Sequence, residues 1–102
     1  MSDQSPLFVG LASVELHCPG ARSLKEKRQD LRPLVERLRS RLGVQVVECD
    51  YQDLHQRAAI AISTLATEPE PARSMAAKAL EFVNENCAGT VLSESLDVVQ
   101  VR

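Results

Sequence analysis

A chain of 102 residues with about 44% hydrophobic residues supports one modest core and leaves no room for a second domain. The net charge of −2 gives no global attraction to nucleic acid, and Cys18, Cys49 and Cys87 form no C-x-x-C pair, which excludes a zinc ribbon or a thioredoxin-type motif. The opening MSDQSP lacks a basic stretch followed by an apolar run, and no apolar run approaches the roughly 18 residues of a membrane span, so the expectation is a cytoplasmic protein with no leader and no membrane segment.

Met1 to Pro6 is polar and is expected to be a disordered tail, with one domain over residues 7–102. Leu7 to His17 alternates as a strand, and its first half is apolar on both faces, which suits a central position. Pro19-Gly20 ends it. Ser23 is a good N-cap, and Glu26 three residues later completes a capping box. Leu24, Leu31, Leu34, Val35, Leu38 and Leu42 then keep helical spacing up to Gly43. Pro33 lies inside this helix, but the apolar stripe runs across it, so one helix bent at Pro33 is expected rather than two.

Val44 to Tyr51 reads as a second strand and Arg57 to Thr67 as a third, with Ala58, Ile60 and Ile62 on one face and Ala59, Ala61 and Leu65 on the other. Thr67-Glu68-Pro69-Glu70 opens a second helix, whose buried stripe is Ala72, Met75, Ala76, Ala79, Leu80, Val83 and Cys87, and Gly89 ends it. Thr90 to Arg102 is the last strand, with Leu92, Leu96 and Val98 on one face and Val91, Val99 and Val101 on the other. The order β-α-β-β-α-β predicts an α+β, ferredoxin-like sandwich: a four-stranded antiparallel sheet in order 4-1-3-2 with both helices on one face.

Charge is unevenly spread. Eight of the twelve basic residues lie between Arg22 and Arg41, opposed there by three acids, a local +5 against −7 elsewhere. Such polarity steers an anionic partner even when the sum is near zero; the alternative is a solvated helix face. The topology also gathers His17, Arg22, Ser23, Lys25, Asp50 and Arg57 at one end of the domain. There the first N–H groups of the helix offer an anion site, unless Glu26 completes the cap and an acid pairs with the bases.

These residues carry a family resemblance. The run Leu16-His17-Cys18-Pro19-Gly20-Ala21-Arg22-Ser23-Leu24-Lys25-Glu26-Lys27-Arg28 resembles a signature of the YlxP-like family, small bacterial domains of unknown function. The run from Val47 to Ala58, VECDYQDLHQRA, does too. The similarity extends over roughly Leu7 to Leu96 and implies a ferredoxin-like fold. The family's genes often neighbour those for translation initiation and ribosome-binding factor A, which implies a part in ribosome maturation or RNA metabolism. No catalytic residues come with the resemblance. The chain departs from the family pattern at His55, where an aromatic residue is usual, at Cys18, where an aliphatic one is, and at Pro33.

Site by site, the chemistry is sparse. His17, Cys18, Cys49, Asp50 and His55 are of metal-ligating type, but no pair has a helical or hairpin ligand spacing. A Cys–His nucleophile pair has no recognisable orienting group or oxyanion hole. Base stacking on the sheet needs aromatics, and the third strand has none. Phosphate contacts need only cations. The expectation is a non-enzymatic domain with no metal or other cofactor that binds RNA or a ribosomal subunit through Arg22, Lys25, Lys27, Arg28, Arg32 and Arg57, with no membrane or DNA partner. The alternative is a homodimeric interaction module, its two copies meeting over the sheet face that the helices leave open.

Overall fold

A computed structural model describes residues 5–102; residues 1–4 of the expected tail lie outside the described residues. The elements follow in the order β1 (Phe8–His17), α1 (Leu24–Leu42), β2 (Gln45–Asp50), β3 (Arg57–Ala66), α2 (Pro69–Asn86) and β4 (Thr90–Gln100). The four strands form one antiparallel sheet in the order β2-β3-β1-β4, which counted from the β4 edge is 4-1-3-2.

Period-two alternation decides which side of the sheet is covered. On β1, Ala12, Val14 and Leu16 are buried. Their partners Ile62, Ile60 and Ala58 on β3 are buried with them, and Val44 and Val46 complete that layer on the β2 side. Leu31, Leu34 and Leu38 of α1 and Ala76, Ala79, Leu80 and Val83 of α2 pack onto it in a single core. The opposite face carries Leu11, Val47, Leu65 and Val99, all exposed.

α1 begins as its sequence dictates. Ser23 Oγ accepts the Glu26 N–H at 3.1 Å, while Glu26 Oε1 accepts the N–H of Arg22 at 3.0 Å, one residue before the cap. The helix runs unbroken through the exposed Pro33. It ends at Gly43, whose φ of 66° is the left-handed conformation that suits glycine and whose N–H returns to Arg39 O. Ser23→Ala is expected to cost about 1 kcal/mol, read as a lower urea midpoint at constant slope. An unchanged midpoint would show that this cap adds nothing.

Two expectations need correction. α2 stops at Asn86 with Cys87 as its cap in extended conformation, so Gly89 lies beyond the helix end. The faces of β4 are also rearranged near its start. A register shift opposite Glu15/Leu16 pairs Ser93 with Glu15 but Val91 with Leu16. This bulge turns Val91 toward the core and leaves Leu92 exposed, the reverse of simple alternation.

Candidate nucleic-acid interface

At 100° per residue, Lys25, Arg28, Arg32, Glu36 and Arg39 fall within one stripe of α1, beside the buried Leu31, Leu34 and Leu38. All five are exposed. The stripe flanks a groove of about 310 Å³ between α1 and β2, floored by Leu31, Val35 and Val46 and edged by Arg28, Arg32 and Arg39. Arg39 Nη2 also donates to Val46 O at 2.6 Å, which ties the far end of the stripe to β2. Over about 20 Å of helix, from Lys25 to Arg39, this stripe is thus cationic, interrupted by Glu36 alone.

Arg22 stands just before the helix and is exposed. Its own N–H is held by Glu26. The first turn of α1 is therefore capped from both sides by Ser23 and Glu26, and what it offers an anion is the surrounding side chains, not free backbone N–H groups at those positions.

Lys27 does not belong to this surface. It is 1% exposed and points into the domain, where its Nζ donates to Tyr51 O at 2.8 Å and Arg57 O at 3.2 Å and lies 3.0 Å from Glu48 Oε2. Two of its donors are hydrogen-bonded and its charge is paired with Glu48, so the expectation of a phosphate contact fails for this residue on burial. The spacing held the signal: positions 27, 31, 34 and 38 continue the apolar stripe, and only the residue's charge disguised it.

Arg57 is occupied as well. Its guanidinium pairs with Glu15 Oε2 and lies 4.4 Å from the centre of the Tyr51 ring. Tyr51 Oη in turn donates to Glu15 Oε1 at 3.2 Å. Tyr51 has a φ of 58°, a conformation uncommon for a bulky side chain. With it the residue hands its carbonyl to Lys27 and its ring to Arg57. The topology thus brings the end of β1, the end of β2 and the start of β3 together, with Arg57 engaged in a half-exposed ion pair and ring contact rather than standing free.

The other candidate chemistries find no constellation. Among the described residues, no three His, Cys, Asp and Glu side chains stand close enough to share a metal ion. Cys18 is buried, and burial above all, with Asp30 adding and Lys27 opposing, raises its pKa, so the group stays a protonated thiol rather than a nucleophilic thiolate. No helix is long and apolar enough to cross a membrane among the described residues.

The features that define this end of the molecule lie inside a matched family region. Residues 9–95 match the model of a protein family described as "Protein of unknown function (DUF503)". The chain belongs to the DUF503 family. It is also 37% identical over 74 residues to the uncharacterized protein YlxP of Bacillus subtilis (strain 168), an alignment covering 68% of this chain and 80% of that protein. The matched DUF503 region contains both signature runs, the capped start of α1 and the Lys27–Glu48 pair, and ends on β4.

Proposed function

We propose that this DUF503 protein binds RNA or a ribosomal particle through the exposed basic stripe of α1, with Lys25, Arg28 and Arg32 as the phosphate-contacting cations, Arg22 at their head and Arg39 at their tail. The observation that carries this reading is the stripe itself: four cations on one exposed helix face with one acid among them. Phosphate backbones are recognised by such rows of cations without base-specific contacts, and the resemblance to a family whose genes often neighbour those for translation initiation and ribosome-binding factor A supports the same partner. We read the domain as ferredoxin-like, on its element and strand order, and as acting in the cytoplasm without enzymatic turnover.

The test is co-sedimentation of the tagged protein with ribosomal particles from a cell extract at low and moderate salt. Association is expected at low salt and falls steeply with added salt. Lys25→Glu with Arg28→Glu abolishes it, because both residues are exposed and their reversal leaves the fold intact. Protein that stays at the top of the gradient at both salts overturns the proposal.

A second reading rests on a different observation. Leu11, Val47, Leu65 and Val99 are 42–66% exposed on the sheet face that neither helix covers. A second copy packed face to face would bury them, making the domain a homodimeric module. Sedimentation equilibrium of wild type and Leu65→Lys separates the readings: a monomer in both leaves the basic stripe as the working surface.

A further inference from the structure

The two edges of the sheet are finished differently. On β2 the outward carbonyls are taken: Arg39 donates to Val46 O at 2.6 Å and Gln52 Nε2 to Glu48 O at 3.0 Å. Side chains that occupy an edge strand in this way block the addition of another strand. On β4, Val101 N–H donates to Leu7 O, so the odd-numbered residues face β1 and, by antiparallel alternation, Glu94, Leu96 and Val98 turn their backbone groups outward. Asp97 Oδ1 takes the Val98 N–H at 2.9 Å. Among the described residues, nothing donates to the carbonyls of Glu94, Leu96 and Val98.

Beside this edge runs a groove of about 610 Å³ between β4 and α2. Leu80 and Leu96 form its apolar part, and Glu81, Glu85 and Glu94 its charge. Asn84 Nδ2 fixes Glu94 by donating to Oε2 at 3.0 Å. Asp97 adds a fourth carboxylate on the other face of the same strand. Lys78 on α2 is the neighbouring cation, and none of these four carboxylates has a salt-bridge partner among the described residues.

We propose that the outer edge of β4 is a docking strand for an extended segment of a protein partner bearing lysine or arginine at alternate positions. Its backbone pairs with Glu94 and Leu96 and donates to the carbonyl of Val98, whose own N–H is held by Asp97. One set of its side chains enters the groove against Glu81 and Glu85, and the other set lies beside Asp97 and Val99. Strand addition supplies affinity through main-chain hydrogen bonds and selectivity through alternate side chains. The charge settles the occupant. Four carboxylates repel nucleic acid. A second copy is no better suited, because β4 carries Glu94 and Asp97 with no base between Thr90 and Gln100, and the β2 edge is already blocked. This surface lies on the opposite sheet edge from the basic stripe and stands independently of it.

The test titrates ¹⁵N-labelled protein with an acetylated nonapeptide of alternating Lys and Val, with the Glu/Val peptide as control. Two further Lys/Val peptides carry N-methyl groups on alternate residues, each on one edge. Expected are amide shifts confined to β4 and the exposed side of α2, and affinity reduced about tenfold or more by Glu81→Lys with Glu85→Lys, both exposed. One N-methylated peptide binds and the other does not, since methylation removes the donors of one edge only. The proposal is overturned by shifts centred elsewhere, by equal binding of the Glu/Val peptide, by equal binding of both N-methylated peptides, or by no binding at about 1 mM peptide.

Discussion

Replacing Lys27 with methionine is expected to cost about 3 kcal/mol of stability, the lower end for breaking a buried ion pair, because Glu48 keeps some access to water. The variant strips the donor from Tyr51 O and Arg57 O and the counter-charge from Glu48 in one step. A domain of this size has a total stability of about 5–15 kcal/mol, so the loss is a large fraction of it. Urea unfolding followed by circular dichroism measures it. Lys25→Met, two residues earlier and exposed, is the control, with a change under about 0.5 kcal/mol. Adding Glu48→Gln to Lys27→Met is expected to cost less than the sum of the two, since the stranded carboxylate is then neutral. A Lys27→Met midpoint equal to wild type would refute the bridging role.

Gly10→Ala is expected to cost about 3 kcal/mol, toward the upper end for overpacking. Gly10 faces α2, and a methyl group there overlaps the Ala72 carbonyl and comes within 2.9 Å of Thr64 Cγ2. The obstacle is helix backbone, which cannot rotate aside as a side chain does. Ala12, Ala72, Ala76 and Ala79 are all fully buried, so α2 lies close against β1 through small residues and has no slack to give. Gly20→Ala is the matched control. Nothing lies within 4 Å of its added carbon, and a midpoint within the error of wild type is expected. Equal midpoints for the two variants would show that α2 shifts outward freely.

The architecture was legible because each level of the sequence agreed with the next. Ser23 and Glu26 mark the helix start, Gly43 its end, and strict alternation in β1 and β3 gives their faces. What escaped was whatever depends on tertiary partners. Lys27 is read as surface on charge, although its spacing placed it in the stripe; only Glu48 and two carbonyls, from residues far along the chain, make its burial tolerable. Arg39 was counted in the local charge but not as part of the stripe. The bulge opposite Leu16 inverts Val91 and Leu92, and a one-residue register change leaves no trace in composition. The carboxylates of the β4 groove are spread between two elements that meet only in the fold.

The position of β1 has a consequence for how the chain acquires its structure. It is the second strand from one edge, yet its partners are the third and last strands to be made. Ser13 meets Ser95, 82 residues later, so the pairing closes a very long loop before any hydrogen bond rewards it. Such non-local topologies fold slowly compared with helical bundles. During synthesis one side of β1 stays unpaired until β4 has been made, long after β3 has become available for the other side.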